Sequence, residues 1–269
     1  MKTKLHNEIL ASKPEYHTDN EAINHPPLFP SFHFYRKLYR IIVNSADLGK
    51  NGLYDNKRWT ESAIDIMQAL ESAGVKMNFY GMDNITSNPN ATIFLSNHMS
   101  TLETMVPVAI IEPVKPVLFV IKKELAEYPV FKHVILAREP IIVGRQNPKE
   151  DLMTVLNEGT KRLKEGKSII LFPQRTRSPI FEVHNFNTLG VKLAKRSNVT
   201  VTPMAVLTDA WSNGKIIKEV GKIDIKKEVH IAFGKPIEIK GNGAEENQQV
   251  INFIKQKLTE WGRSELIVE

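Results

Sequence analysis

The 269-residue sequence has no cysteine. Disulfides, zinc–thiolate sites and an acyl-cysteine intermediate are thereby excluded. Its 8 histidines never form a His-x-x-x-His pair, so no metal site is expected. Gly-x-Ser-x-Gly elbows, P-loops and dinucleotide fingerprints are missing as well. So are long apolar runs. A membrane-spanning helix needs roughly 18 uninterrupted apolar residues. The nearest stretch, Val106 to Ile121, is broken by Glu112, Lys115 and several prolines. The chain starts Met1-Lys2-Thr3-Lys4 and continues with polar residues rather than an apolar core, so no secretion signal is expected.

What the chain does carry is positive charge, 36 Lys and Arg against 30 Asp and Glu, a net +6. Such an excess favours an anionic partner: a phospholipid surface, an acidic carrier protein, coenzyme A or nucleic acid. The basic residues form no dense run and no nucleic-acid-binding signature accompanies them, so no nucleic acid is expected. The segment Phe32 to Val43 points instead to lipid. At about 100° per residue, Phe32, Phe34, Tyr35, Leu38, Tyr39, Ile41, Ile42 and Val43 share an arc of roughly 200°. His33, Arg36, Lys37 and Arg40 take the other arc. Such a helix either lies in the plane of an anionic membrane surface or packs on its own domain. The first reading places the protein in the cytoplasm, peripheral on the cytoplasmic face of a membrane.

Elsewhere helical and strand patterns alternate. Trp59, Ala63, Ile66, Met67 and Leu70 make a helical stripe that Gly74 can end, and Val75, Met77 and Phe79 alternate as a strand. Asn147-Pro148 opens a helix carrying Leu152, Val155, Leu156 and Leu163. Residues 188–196 suggest a short helix, 199–206 and 229–233 strands, and 245–261 a closing amphipathic helix with Val250, Phe253, Ile254 and Leu258. This alternation implies an α/β fold with a mostly parallel central sheet flanked by helices, preceded by an N-terminal helical membrane-associating segment. The first twenty residues read as flexible.

Two segments carry chemistry. The run Ala91 to Leu95 reads as a buried strand and empties into Ser96-Asn97-His98-Met99-Ser100-Thr101-Leu102-Glu103. On one continuous helix His98 and Glu103 would lie roughly 140° apart. They face each other only if His98 sits in the turn before a helix and Glu103 in its first turn, with Ser100 as a plausible N-cap. A histidine so placed can take the proton of an attacking hydroxyl, and the carboxylate fixes its tautomer. No nucleophilic serine is then needed, because the hydroxyl can belong to the substrate. Equally, Ser100-x-x-Glu103 is a capping box, in which the carboxylate satisfies a backbone N–H. The second segment follows the buried run Ser168 to Phe172 and reads Pro173-Gln174-Arg175-Thr176-Arg177-Ser178-Pro179. Arginine forks match phosphate oxygens, and ligands of open α/β sheets bind beyond the carboxyl ends of the strands. A solvated basic loop is the alternative.

Together these segments resemble the glycerolipid acyltransferase family that includes the bacterial 1-acylglycerol-3-phosphate acyltransferases. The family's Asn-His-x-Ser-x-x-Asp block is matched by Asn97 to Glu103, and its Phe-Pro-Glu-Gly-Thr-Arg-Ser block by Phe172 to Ser178. Between them Lys122-Lys123-Glu124-Leu125, Pro129, Phe131 and Ile142-Val143-Gly144-Arg145 resemble a lysine-rich block ending in arginine. Val201-Thr202-Pro203-Met204-Ala205-Val206 resembles a strand with a central proline. The blocks stand in order between Gly74 and Val206.

The resemblance implies an O-acyltransferase that moves a fatty acyl group from an acyl thioester, acyl-CoA or acyl carrier protein, to a lysophospholipid hydroxyl, as in phospholipid biosynthesis. It implies no cofactor beyond that co-substrate. His98 would be the base and Glu103 its orienting acid; Lys123, Arg145, Gln174, Arg175, Thr176 and Arg177 would bind the acceptor. Asn97 would buttress His98, backbone N–H groups at the helix start would hold the oxyanion, and residues from Val106 to Phe119 would line an acyl groove. Residues 1–73 form the flexible and helical membrane-associating region, and 74–269 the α/β acyltransferase domain. Two departures stand out. Glu103 replaces aspartate, and Gln174-Arg175 replaces Glu-Gly, which makes the loop more positive and suits a more anionic acceptor. Other lipid acceptors (glycerol-3-phosphate, a glycolipid, an amino-acid lipid) and a non-catalytic membrane-binding relative remain the alternatives.

Overall fold

The computed structural model describes residues 13–269 apart from positions 24, 129, 130, 145 and 175. Eight strands build one sheet: β1 (Glu15–His17), β2 (Met77–Tyr80), β3 (Thr92–Ser96), β4 (Val117–Lys122), β5 (Ile141–Val143), β6 (Ser168–Leu171), β8 (Thr200–Leu207) and β9 (Val229–Phe233), with β7 (Phe181–Glu182) and β10 (Ile267–Val268) paired separately. Their order across the sheet is β1-β2-β9-β8-β3-β6-β4-β5. Only β1–β2 and β8–β9 pair antiparallel within it; the other neighbours run parallel. The central strands β3 and β6 are buried at every position. Helices cover both faces of such a sheet, so its strands are apolar throughout rather than alternating.

Six longer or better-formed helices matter here: α1 (Pro30–Lys50), α2 (Asn56–Glu71), α3 (Val106–Ile111), α4 (Pro148–Lys164), α5 (Leu189–Ser197) and α6 (Ala244–Glu260). Their ends follow local chemistry. Asp55 caps α2 by accepting from Arg58 N at 2.8 Å, and Asn147 caps α4 ahead of Pro148. Asn198 closes α5 in the left-handed conformation, φ 54°. The α2 stripe expected from the sequence is in place: Ala63, Ile66, Met67 and Leu70 are all buried.

Two expectations are corrected. Residues 15–17 are not a flexible lead-in but the edge strand β1, in register Glu15↔Tyr80 and His17↔Asn78. Tyr16 and Thr18 explain the anchoring: both hydroxyls donate to the buried Glu71, at 2.6 and 2.7 Å. The apolar arc of α1 is also divided between two environments. Phe34 and Leu38 are buried, and Phe34 meets Trp211 edge-on at 4.8 Å, whereas Phe32, Tyr39 and Val43 stay exposed. Among the described residues no helix is long and apolar enough to cross a membrane.

The register decides where function can sit. β3 lies between β6 and β8, parallel to both, with Leu95 opposite Leu171 on one side and Pro203 on the other. The carboxyl ends of all three strands therefore emerge side by side, and the loops after Ser96, Leu171 and Leu207 share one end of the sheet.

Candidate active site

Beyond Ser96 the chain leaves the sheet but stays tied to it. Asn97 Nδ2 donates to Val206 O at 2.8 Å, and its Oδ1 accepts from Val206 N at 2.9 Å. The side chain thus imitates a backbone pair and fixes the turn that carries His98. Leu102–Thr104 form a 3-10 turn, and α3 begins only at Val106, with Pro107 in its first turn. The expected helix start at Ser100 is this tighter turn, which brings Glu103 back to the imidazole.

The contact is direct: His98 Nδ1 lies 2.9 Å from Glu103 Oε1. Glu103 is fully buried. The same Oε1 accepts from Met99 N at 2.5 Å and Ser100 N at 2.7 Å. Oε2 accepts from Ser100 Oγ at 3.0 Å and Thr208 Oγ1 at 2.7 Å, while Ser100 Oγ caps Leu102 N at 3.1 Å. Capping box and histidine–carboxylate pair, two readings of the sequence, are thus realised on one side chain. Burial by itself would raise the Glu103 pKa; the His98 hydrogen bond and charge, with Thr208 and the Ser100 backbone, outweigh it and hold the carboxyl below its usual range. The group stays anionic near neutrality.

With Glu103 accepting at Nδ1, the neutral ring keeps its proton there and presents Nε2 as the basic nitrogen. The ring is stacked on Phe172, centroids 4.2 Å apart and planes 15° apart. Its side chain remains 17% exposed, so it opens to the surface and is not turned into the core. Phe172 in turn stacks with Phe119 at 6.4 Å, and Phe119 meets Trp59 edge-on at 6.2 Å. These half-buried aromatics form an apolar track leading from the imidazole.

The loop after β6 meets the histidine turn through backbone and side chain alike. Ser178 N donates to His98 O at 2.9 Å. Gln174 Oε1 accepts from His98 N at 3.0 Å, and its amide reaches Ile180 O at 3.5 Å. Gln174 is buried, so it positions the turn rather than contacting an acceptor, contrary to the sequence-based expectation. Arg177 does converge on the opening. It donates through Nη1 to Thr101 Oγ1 and through Nη2 to Glu219 Oε1, the latter at 2.5 Å. Thr176 is exposed on the same loop.

The remaining expectations fare differently. Lys123 starts the short helix Lys123–Glu127 and lies 3.8 Å from Glu127, two thirds exposed, rather than joining the His98 cluster. Arg145 and Arg175 lie outside the described residues. The sequence assigns no particular backbone N–H groups to the oxyanion; in this turn the Met99 and Ser100 N–H groups donate to Glu103. α3, in the stretch expected to line an acyl groove, is buried along its whole length. Thr208, Thr101 and Glu219 were not singled out from the sequence. Thr208 is the first polar residue after the apolar run that follows Pro203, the one signal that extending that block would have caught.

Known proteins agree with this geometry. A family model described as Acyltransferase matches residues 76–207. The 1-acyl-sn-glycerol-3-phosphate acyltransferase of Pseudomonas aeruginosa is 26% identical over 87% of this chain and 81% of its own length. A probable 1-acyl-sn-glycerol-3-phosphate acyltransferase of Mycoplasma pneumoniae is 21% identical over 70% of this chain and 71% of its own. Among solved structures, the 1-acyl-sn-glycerophosphate acyltransferase of Thermotoga maritima superposes with a TM-score of 0.67 at 22% identity, over 87% of this chain and 95% of that one. Motif order, family model and fold coincide on the same loops: residues 76–207 form an acyltransferase domain, and the chain is an O-acyltransferase similar to the 1-acyl-sn-glycerol-3-phosphate acyltransferases.

Proposed function

We propose that the protein transfers a fatty acyl group from an acyl thioester to the free hydroxyl of a lysophospholipid of the 1-acylglycerol-3-phosphate type. One observation carries this reading: an imidazole held by a buried anionic carboxylate, within one loop contact of an arginine at the same opening.

The acceptor hydroxyl hydrogen-bonds to His98 Nε2. As its oxygen attacks the thioester carbonyl carbon, the proton passes to Nε2 and the C–O bond forms. Glu103 stabilises the imidazolium without taking its proton. The tetrahedral intermediate then collapses, the C–S bond breaks, and the departing thiolate takes the proton back from Nε2. The cycle needs no metal or redox group. Arg177 holds the acceptor's phosphate, and Arg145 and Arg175 add charge to the same headgroup, as the family resemblance implies. The acyl chain of the donor lies along Phe172, Phe119 and Trp59. A net charge of +6 suits coenzyme A and an acidic carrier protein equally.

The same reading makes the protein a peripheral one, on the cytoplasmic face of a membrane. Its support is a band of exposed apolar residues near the opening. Leu28, Phe29 and Phe32 stand at the start of α1. Ile216, Ile217 and Val220 stand on the loop after Trp211, which α1 touches through Tyr35 and Ser31. Arg36 and Arg40 flank the band on α1. The test incubates purified protein with acyl-CoA or acyl carrier protein thioesters and a panel of acceptors: 1-acylglycerol-3-phosphate, glycerol-3-phosphate, lysophosphatidylglycerol and a lyso-glycolipid. Mass spectrometry of the lipid should find diacylglycerol phosphate as the main product. Preference for another acceptor would reassign the substrate, and no acyl transfer to any of them would defeat the reading.

A further inference from the structure

The guanidinium assigned above to the acceptor's phosphate already carries an anion of the chain's own. Arg177 Nη2 donates to Glu219 Oε1 at 2.5 Å while Nη1 stays on Thr101. Glu219 stands on the loop between Trp211 and Ile223, which meet in an antiparallel bridge. The loop is tightly wound. Ser212 N and Oγ both donate to Lys222 O, at 3.1 and 3.0 Å, and Gly214 N donates to Lys218 O at 3.1 Å. A Cβ on Gly214 would lie 2.1 Å from Ile217 O, and one on Gly221 only 1.7 Å from Ser212 O, so glycine alone fits either place. The loop is also tied to its surroundings: Trp211 Nε1 to Glu219 O at 3.2 Å, Tyr35 Oη to Gly221 O at 2.6 Å, Asn213 Nδ2 to Met99 O at 2.8 Å. The Glu219 backbone is therefore fixed. Its side chain, 38% exposed, has solvent to turn into, whereas Arg177 is 17% exposed. Between Ser212 and Lys222 the other charges are Lys215, Lys218 and Lys222, so Glu219 is the single acid of that loop.

We propose that Glu219 is a built-in competitor for the acceptor's phosphate, holding Arg177 Nη2 before substrate arrives and being exchanged for the phosphate when it binds. The inference rests on the acyl-transfer reading given above. A half-buried guanidinium is costly to leave unpaired, and the exchange spares it that state at every stage. It also sets a threshold. A phosphomonoester brings more charge than the carboxylate it replaces, whereas a neutral headgroup brings nothing with which to displace it.

Glu219→Gln tests this by steady-state kinetics with 1-acylglycerol-3-phosphate and, separately, with the neutral 1-acylglycerol. Removing an ion pair of this exposure should lower KM for the phosphorylated acceptor by about 2–5-fold, with kcat the smaller change. The neutral acceptor should show no such gain. Glu219→Asp, with a shorter reach, should follow the glutamine variant, and a thermal melt checks that both are folded. An unchanged or raised KM for the phosphorylated acceptor would overturn the proposal, because Glu219 would then be a scaffold for Arg177. An equal gain with the neutral acceptor would overturn it too. If the unaltered protein acylates the phosphorylated acceptor and only the variants disagree, the competitor idea alone falls; if it acylates neither acceptor, the acyl-transfer reading falls and takes this one with it.

Discussion

A carboxylate that accepts from a ring nitrogen, two backbone N–H groups and two hydroxyls is held in place from every side. Glu103 is such a group, and its value to His98 depends on donors that never touch substrate. Thr208 is the most separable of them, because it comes from the end of β8 and serves no backbone cap in the turn. A hydrogen bond to a charged group contributes about 1.5–3 kcal/mol. Thr208→Val should therefore slow kcat by about 10–150-fold while moving KM for the acceptor little, and Thr208→Ser should restore most of the rate. A KM effect without a kcat effect would show that Thr208 shapes the pocket and not the carboxylate. At this scale legibility was uneven. His98, Glu103 and Arg177 announced themselves because each follows a strongly apolar strand. Thr208 lies 105 residues from Glu103, and only the pairing of β8 beside β3 brings them together. Gln174 was misread for a related reason: a polar residue in a basic loop looks solvated until the neighbouring strand's turn is seen to bury it.

Elements carry the next level. The helical and strand periodicities of α2, α4, α6 and the central strands were readable because each buries one face or all of its surface. β1 was not, since three residues of edge strand give too short a pattern. Nor could periodicity alone divide the apolar arc of α1, where the fold claims Phe34 and Leu38 and leaves Phe32 and Tyr39 outside. One element boundary yields a pH prediction. Glu112, just after α3, accepts from Val117 N at 2.8 Å at the start of β4. Burial raises its pKa to about 7, against the pull of that bond and of Arg138 and Lys167. Its folded-state value thus exceeds the ordinary 4.5. The folded protein binds this proton more tightly than the unfolded chain, so the favourable contribution is complete below pH 4.5 and is lost as pH rises through about 7. Glu112→Gln, which keeps the acceptor oxygen and removes the charge, should gain about 1–3 kcal/mol of stability at pH 8 relative to its effect at pH 4.5. Denaturant unfolding at the two pH values measures it; equal effects at both would show that Glu112 is already neutralised in some other way.

For the whole molecule, strand order is what converts scattered motifs into a site. Because β3 runs parallel between β6 and β8, the turns after Ser96, Leu171 and Leu207, far apart in sequence, open on one edge. Four motif blocks in order made the family legible, yet only this topology explains why their chemistry meets. The loop after Trp211 reaches this edge through Glu219 and Asn213, and the start of α1 touches that loop through Ser31 and Tyr35. Lys37 donates to Ser72 and so belongs partly to the fold, which leaves Arg36 and Arg40 as the basic residues that the proposed lipid contact would use. At about 1 kcal/mol for each basic residue near an anionic leaflet, Arg36→Gln with Arg40→Gln should weaken binding to anionic vesicles by about 10–30-fold and hardly affect binding to zwitterionic ones. Sedimentation with the two vesicle types reads this directly. Undiminished binding of the double variant to anionic vesicles would rule out this face of α1 as the contact.

The central claim is that an imidazole oriented by Glu103 moves the proton of the attacking hydroxyl, and turnover of His98→Ala tests it most directly. With an acyl thioester and 1-acylglycerol-3-phosphate at saturation, the variant should lose about 10²–10⁴-fold in kcat while retaining the parent melting temperature. Turnover within a few-fold of the parent protein would contradict the account.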